Sequence, residues 1–373
     1  MSNEPKHKEI YWHLVSEIGA GKYRPGVRLP SESQLVKQFR VSRPTAARAL
    51  RDLQTEGMIE RRAGSGSFVS NQKNAAQGTR QLGLLIPGLG STEIFEIICG
   101  ELATLSRASE YTLLWGSSTH PRQDQDGSRK HAHELCEQFI ERRVTGVFFA
   151  PFELTPGAEE TNQHIAERFR ECGIPVVLLD RDLGPFPQRS NFDLVSLDNV
   201  AAGYVLAEHL IKLGCKRIAF VARPLSAPTV NARIAGVREA FARYHLDPPA
   251  NWVRVGDPND LKFVRSLLAG KMWDAFICAN DFTAAQLIRS FEQNKCRMPE
   301  SVRVVGFDDA KYATLLSLPL TTIQQPCRDI ATCAFRVMLS RVSEPTLPIS
   351  TILVAPRLIV RESCGAYLPR AAR

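Results

Sequence analysis

Apolar residues in the first forty positions recur at helical spacing. Ile10, Leu14 and Ile18 lie four residues apart, which predicts an amphipathic helix over residues 8–19. A turn-rich stretch follows. Ser31 then begins a second helix, because the segment "SESQ" fits a capping box, in which the serine and the glutamine three residues later satisfy each other's backbone N–H groups.

The segment "SRPTAARALRDL" predicts a third helix with two distinct faces. Proline fits only the first turn of a helix, so this helix starts near Ser42, and Gly57 ends it. At 100° per residue the side expected to pack on the other helices holds Ala46, Ala49, Leu50 and Leu53. The opposite, open side holds Pro44, Thr45, Arg48 and Arg51.

Two short strands, "MIERR" and "SFV", are predicted around a glycine turn that includes Gly64, Ser65 and Gly66. Three helices and a hairpin together predict an N-terminal winged helix-turn-helix domain over residues 1–70. Charge supports a nucleic-acid partner. Residues 1–80 hold 14 Lys and Arg against 7 Asp and Glu, whereas the rest of the chain holds 33 against 32.

The segment from "LPSE" through "VSRPT", "ALRDLQTEGMI" and "GSGSFV" resembles the DNA-binding domain of the GntR family of bacterial transcription regulators. The resemblance implies recognition of double-stranded operator DNA by a homodimer, with Arg43 and Thr45 at positions for base and phosphate contacts and Gly66 at the wing tip. The family usually has an arginine two residues after this threonine, but here Ala47 stands there and Arg48 follows. The expected DNA-binding residues are Ser31, Ser42, Arg43, Thr45, Arg48, Arg51, Arg62 and Gly66.

Within this set we expect different roles. Arg43 lies in the first turn of the third helix, where this motif meets base edges, so it is the principal base contact. Arg48 shares the open face with Thr45. Arg51 lies further along and is expected to contact the DNA backbone or to be ordinary surface charge.

Residues 71–80 are polar and predict a linker, and residues 81–373 alternate between apolar strands and helices. Such alternation predicts parallel sheets covered on both faces, so the domain is α/β, doubly wound and bilobed, with the second half starting at "DLVSLDN". Ligands bind beyond the carboxyl ends of such strands. The polar and aromatic residues predicted there are Ser91, Thr92, Glu93, Phe152, Asp180, Arg181, Asn280, Asp281, Asp308 and Asp309. Asp281 and Asp309 are interpreted as helix or turn caps.

The segments "VSLDNVAAGYVLAEHLIKLGCKRIAFV", "NARIAGVREAF", "FICANDFTAAQLI", "VRVVGFDDA" and "LTTIQQP" resemble the effector-binding domain of the LacI family, which is similar to periplasmic sugar-binding proteins. The resemblance implies a small effector in a cleft between the lobes. The expected ligand-binding residues are Glu93, Phe95, Phe152, Arg181, Arg233, Asn280, Asp308 and Gln325, with Gln325 near the crossover between lobes. A sugar is the favoured effector of a repressor. A sugar acid, a sugar phosphate or a purine stays open, because Arg181 and Arg233 together suit an anion equally well.

Other classes of protein have less support. An α/β enzyme with an accessory DNA-binding head is an alternative, but no G-x-S-x-G elbow, P-loop or complete dinucleotide fingerprint is present. Nine cysteines without a C-x-x-C pair and eight histidines without metal-ligand spacing predict neither a metal site nor a cofactor. A transport-binding protein is disfavoured by the basic head and by the absence of a signal-peptide core, so the expected location is the cytoplasm, away from any membrane.

Overall fold

The structure is a computed structural model that divides into two compact units, Met1–Arg80 and Gln81–Arg373. It describes residues 6–19, 21–24, 26–55, 58–62, 65–69, 80–86, 93–116 and 125–368. Several predicted features lie outside the described residues, namely most of the linker, Gly57, Gly64, Ser91 and Thr92.

The first unit has the three helices and the hairpin that the sequence predicts. Its elements are α1 (Lys6–Gly19), α2 (Glu32–Phe39), α3 (Arg43–Thr55), β1 (Ile59–Arg62) and β2 (Gly66–Val69). The capping box is confirmed, because Ser31 Oγ accepts from the Gln34 N–H at 3.3 Å and Gln34 Oε1 accepts from the Ser31 N–H at 2.7 Å. Strands β1 and β2 pair antiparallel, with Ile59 opposite Val69.

The second unit alternates strands and helices along the chain. Its elements are β3 (Gln81–Leu85), α4 (Glu93–Ala108), β4 (Thr112–Trp115), α5 (Gln125–Glu141), β5 (Gly146–Phe149), α6 (Ala158–Glu171), β6 (Val176–Leu179), β7 (Asp193–Leu197), α7 (Asn199–Lys212), β8 (Ile218–Ala222), α8 (Pro228–Arg243), β9 (Val253–Val255), α9 (Leu261–Leu268), β10 (Ala275–Cys278), α10 (Asp281–Gln293), β11 (Arg303–Asp308), β12 (Thr321–Gln324), α11 (Cys327–Ser343), β13 (Thr351–Val354) and β14 (Arg357–Ile359).

These strands form two six-stranded sheets, one in each lobe. The first lobe has the order β4-β3-β5-β6-β7-β13, and all of its pairs are parallel. The second lobe has the order β9-β8-β10-β11-β12-β14, and within it β14 alone runs antiparallel to its neighbour. Because the strands are almost wholly apolar, helices cover both faces of each sheet, as predicted.

The chain passes between the lobes three times, and this differs from the predicted division. It crosses from β7 to α7, returns from β12 to α11, and crosses again from β13 to β14. The segment "DLVSLDN" therefore ends the first lobe and does not begin the second, because β7 pairs with β6. Gln325 lies between β12 and α11, so its predicted place at a lobe crossover is confirmed.

A buried ion pair fixes the return of α11 to the first lobe. Arg341 on α11 donates from Nε and Nη2 to the two carboxylate oxygens of Asp193 at 2.8 and 3.1 Å. The same arginine also donates to the backbone carbonyls of Pro345, Leu347 and Pro348, which lead into β13. Helix α11 and edge strand β13 are therefore both tied to the first residue of β7.

Helices α7 and α8 approach so closely that only glycine fits at their contact. A Cβ atom on Gly236 would lie 1.9 Å from the Val200 carbonyl oxygen, and one on Gly203 would lie 2.0 Å from the Arg233 carbonyl oxygen. Because backbone meets backbone here, no side-chain movement can make room. The contact brings α8 within reach of the first turn of α7.

We predict that Gly236→Ala destabilises the second unit by at least the roughly 1–3 kcal/mol typical of overpacking. The measurement is thermal unfolding of the full chain. Gly100→Ala on α4 is the matched control. A Cβ at exposed Gly100 meets no atom within 4 Å, so alanine should stabilise this helix by up to about 1 kcal/mol. Equal melting temperatures for the two variants would contradict this account of the helix contact.

Candidate functional site

Helix α3 has the two faces that the sequence predicts. Ala46, Ala49, Leu50 and Leu53 are fully buried or nearly so. Pro44, Arg48 and Arg51 are exposed, and Thr45 is half-buried. Ser42 caps the helix, because its Oγ lies 2.7 Å from Thr45 Oγ1 and accepts from the Thr45 N–H at 3.4 Å. The open face of α3 therefore presents arginine to solvent beside a fixed helix N-terminus.

An acidic residue that the sequence analysis did not select joins α2, α3 and the wing. Glu32 accepts from Arg43 Nε at 3.3 Å through one carboxylate oxygen and from Arg61 through the other. The Arg43 side chain is still 77% exposed. Glu32 thus orients two arginines at the open face. A lone acid in "LPSE" among so many basic residues is the sequence signal that could have revealed it.

The wing is basic and closely packed at its glycine. Arg62 pairs with Glu60 at 3.1 Å, and its guanidinium carbon lies 4.9 Å from the centre of the Phe68 ring. Gly66 has φ +113°, and a Cβ there would come within 2.7 Å of Arg28 Nε. The dihedral angle requires glycine at this position, whereas the Arg28 side chain could move to make room for a Cβ.

A cavity lies between the lobes, at the carboxyl ends of strands from both sheets. The residues lining it are Ile94, Glu153, Leu154, Asp180, Arg181, Arg223, Ser226, Thr229, Val230, Arg233, Ala279, Asn280, Thr283, Asp308 and Gln325. Five of the eight predicted ligand-binding residues are among them. The other three, Glu93, Phe95 and Phe152, lie elsewhere around the cleft.

Glu93 and Phe152 occupy positions that close or border the cleft. Glu93 accepts from the Lys311 N–H of the second lobe at 2.6 Å. The Phe152 backbone is held at both its N–H and its carbonyl by the side-chain amide of Asn162, and its side chain lines a wider opening next to the cavity. Two further hydrogen bonds cross between the lobes, from Leu154 N–H to the Leu225 carbonyl at 2.8 Å and from Ala227 N–H to a carboxylate oxygen of Glu153 at 3.3 Å.

Arg181 is buried in a cluster of opposite charge. Asp180 accepts from its Nε and Nη2 at 2.9 and 2.8 Å, Glu153 accepts from its Nη1, and its guanidinium carbon lies 5.6 Å from the centre of the Phe95 ring. Burial alone would lower the pKa of Arg181, but the two carboxylates more than offset it and raise this pKa above its usual range. Neither Asp180 nor Glu153 was predicted as a partner of this arginine.

Arg233 enters the cavity from α8, where the glycine contact holds α8 against α7. Its Nε donates to Asn199 Oδ1 of α7 at 2.8 Å, its Nη1 donates to the Ala279 carbonyl, and its guanidinium carbon lies 4.5 Å from the centre of the Phe307 ring. The side chain is therefore fixed by three elements of the second lobe. Asn199 was missed because it follows a strand as an ordinary helix-opening residue.

Asp308 and Gln325 meet at the floor of the cavity. Gln325 Nε2 donates to Asp308 Oδ1 at 2.7 Å. Burial raises the pKa of Asp308 to about 6, although Arg233 and the bond from Gln325 act in the opposite direction. Asp180 and Asp308 both have positive φ, at 69° and 119°, a costly conformation for residues other than glycine that is concentrated at functional sites.

The predicted caps are wrong in both cases. Asn280 caps α10, since its Oδ1 accepts from the Thr283 N–H at 2.8 Å. Asp281, the next residue, is fully buried and accepts from Thr322 Oγ1 at 2.6 Å and from the Ala310 N–H at 2.9 Å, so it joins α10 to β12 and to the segment after β11. Asp309 pairs with Arg361 and accepts from Gln324 Nε2 at 2.7 Å.

Two buried acceptors in the cavity have no hydrogen-bond donor among the described residues. They are Asp180 Oδ1 and Gln325 Oε1, on residues that are 3% and 4% exposed. Buried polar atoms are normally satisfied, so these two oxygens stand out as acceptors that no described donor occupies. In the described part of the chain, no three His, Cys, Asp or Glu side chains are grouped to hold a metal ion, and no helix has the length and apolar character for a membrane crossing.

Comparison with known proteins identifies both units. The model of the gntR family of bacterial regulatory proteins matches residues 6–69, and the model of the periplasmic binding protein-like domain matches residues 207–364. Both resemblances drawn from the sequence are thereby confirmed.

Relatives that cover most of the chain are named as transcription repressors or regulators. The arabinose metabolism transcriptional repressor of Geobacillus stearothermophilus is 26% identical over 370 residues, covering 96% of this chain and 97% of the relative. The HTH-type transcriptional repressor PurR of Vibrio campbellii is 28% identical and covers 76% of this chain and 81% of its own length. A solved complex of the transcriptional regulator CelR with cellobiose has a TM-score of 0.64 at 22% identity, covering 87% of this chain and 91% of that one. Residues 6–69 therefore match a domain of the gntR family of bacterial regulatory proteins, and residues 207–364 match a periplasmic binding protein-like domain.

Proposed function

We propose that this protein is a transcription repressor that binds two-fold operator DNA as a homodimer and releases it when a sugar occupies the cleft of the second unit. The observation that carries the choice of ligand is the pair of buried, unsatisfied acceptors, Asp180 Oδ1 and Gln325 Oε1. Sugar hydroxyls are uncharged hydrogen-bond donors that can satisfy both acceptors. The repressor that matches nearly the whole chain is named for arabinose metabolism, which supports the same choice.

Sugar binding would be coupled to closure of the lobes. Asp180 and Arg181 belong to the first lobe, whereas Arg233, Asn280 and Asp308 belong to the second, so one ligand that contacts both sets binds the closed cleft more tightly than the open one. Couplings of about 1–3 kcal/mol are typical of such regulators. By the same linkage, operator DNA weakens sugar binding by the factor with which sugar weakens operator binding.

The DNA contacts are proposed from the exposed basic groups of the first unit. Arg43 and Thr45 at the start of α3 are the base-reading residues, with Ser31 and Ser42 at the two helix N-termini contacting phosphates. Arg48 and Arg51 extend the basic face along α3. Arg62 and Gly66 bring the wing against the DNA backbone or the minor groove.

We predict that Arg43→Ala reduces sequence-specific DNA binding, whereas Arg51→Ala reduces DNA binding irrespective of sequence. Arg43→Ala should lose about 1–3 kcal/mol of binding to a duplex that the wild-type chain selects from a random library, with little change on random DNA. Arg51→Ala should weaken both DNAs alike and lower the slope of log Kd against log salt by about one. Fluorescence anisotropy at several salt concentrations measures both effects. The same loss on both DNAs for the two variants would refute the division of roles.

We predict that Gln325→Met weakens sugar binding at least tenfold, because the variant keeps the side-chain volume but removes an acceptor in the cavity. Thermal shift over neutral pentoses and hexoses identifies a sugar that binds, and calorimetry with that sugar measures the affinity. Gln293→Met, on an exposed position of α10, is the matched control and should bind as the wild type does. Unchanged affinity in Gln325→Met would exclude this cavity as the sugar site.

A further inference from the structure

The charge of Arg181 is already neutralised inside the protein. Asp180 takes two of its N–H groups and Glu153 takes a third, while the ring of Phe95 lies against the guanidinium. Two carboxylates against one guanidinium leave this part of the cavity with a net negative charge. A ligand carboxylate or phosphate placed there would meet like charges in a desolvated environment.

Arg233 is also engaged within the protein. Asn199 and the Ala279 carbonyl accept from its guanidinium, which packs over Phe307, and its charge acts on the neighbouring Asp308. Two of the five N–H groups of Arg233 are thus engaged, and its charge is shared with Asp308. Arg181 faces two carboxylates. Neither of the two arginines that suggested an anionic effector from the sequence therefore carries an uncompensated charge.

A third arginine, Arg223, lines the same cavity from the loop after β8. It is half-buried and makes no ion pair with any other residue that the structure describes. With Arg223 included, the cavity holds three arginines and the three carboxylates of Glu153, Asp180 and Asp308. Its formal charge is therefore balanced. An anion would have to be held by Arg223 alone, away from the unsatisfied oxygens of Asp180 and Gln325.

We infer, on the basis of the proposed function, that the effector is an uncharged sugar and that Glu153 is the residue that determines this selectivity. Glu153 neutralises Arg181 through one carboxylate oxygen and accepts from the Ala227 N–H of the other lobe through the second. The carboxylate is thus held over the cavity by contacts to both lobes when the cleft is closed. It excludes sugar acids and sugar phosphates from the position beside Arg181.

The test compares neutral sugars with anionic counterparts of the same frame: D-galactose with D-galacturonate, D-glucose with glucose 6-phosphate, and D-ribose with ribose 5-phosphate. Thermal shift and calorimetry on the full-length wild-type chain measure each affinity. We expect a neutral sugar to bind at least tenfold more tightly than its anionic counterpart. This first comparison needs no variant.

Glu153→Gln then tests the residue itself. Glutamine keeps the size and an acceptor for Arg181 or Ala227, and Asp180 still pairs with Arg181, so the cavity should persist. We expect the preference for the neutral sugar to fall at least tenfold, with the gain on the anionic partner. Glu141→Gln makes the same charge change at the exposed end of α5 and should leave the preference unchanged. Glu153→Asp, which keeps the charge, should also retain the exclusion of anions.

The outcomes bear differently on the inference and on the proposed function. If the wild type binds an acid or a phosphate more tightly than its neutral counterpart, and Arg223→Gln abolishes that binding, the inference is wrong while the cleft remains a sugar site. An unaltered preference in Glu153→Gln overturns the role of Glu153. If no sugar of either class binds, both the inference and the sugar-responsive function fail.

Discussion

The cleft depends on one topological constraint, namely that the chain must connect two sheets by three crossings while the carboxyl ends of their parallel strands face the same space. Polar residues at or just after the ends of β5, β6, β8, β10, β11 and β12 converge there, where the apolar strands stop. The first crossing starts α7, and the second places Gln325 at the cavity floor. The positions of the groups that line the cavity therefore follow from where the strands end.

Close helix packing and charge pairing then determine which groups stay available. The glycine contact between α7 and α8 places Arg233 beside Asn199, which accepts a hydrogen bond from its guanidinium. Asp180 and Glu153 accept hydrogen bonds from most of the guanidinium of Arg181. Burying a charge is costly unless it is paired. These contacts therefore stabilise the two buried guanidinium groups within the protein itself. What remains for a ligand is a cavity of balanced formal charge with two unsatisfied acceptors, Asp180 Oδ1 and Gln325 Oε1.

The sequence predicted those parts of the molecule that local patterns determine. Helices α1 to α3, the Ser31 cap and the buried face of α3 follow from spacing and capping chemistry within a few residues. Strand ends correctly located Arg181, Asn280 and Asp308 around one cavity. Such local patterns cannot predict which distant segments pair with each other. The return of α11 and β13 to the first lobe depends on Asp193 and Arg341, which are 148 positions apart. For the same reason Glu32 and Glu153 were missed, and Asp281 was mistaken for a cap that Asn280 supplies.

The central claim is that a ligand in the cleft controls DNA binding by the first unit. The most direct measurement is fluorescence anisotropy of the full chain on its selected duplex at fixed salt, titrated with a sugar that calorimetry shows to bind. The account predicts that saturating sugar lowers operator affinity by about 5- to 150-fold, and that sugars without measurable binding leave it unchanged. A sugar that fills the cleft and leaves operator affinity the same would contradict the account.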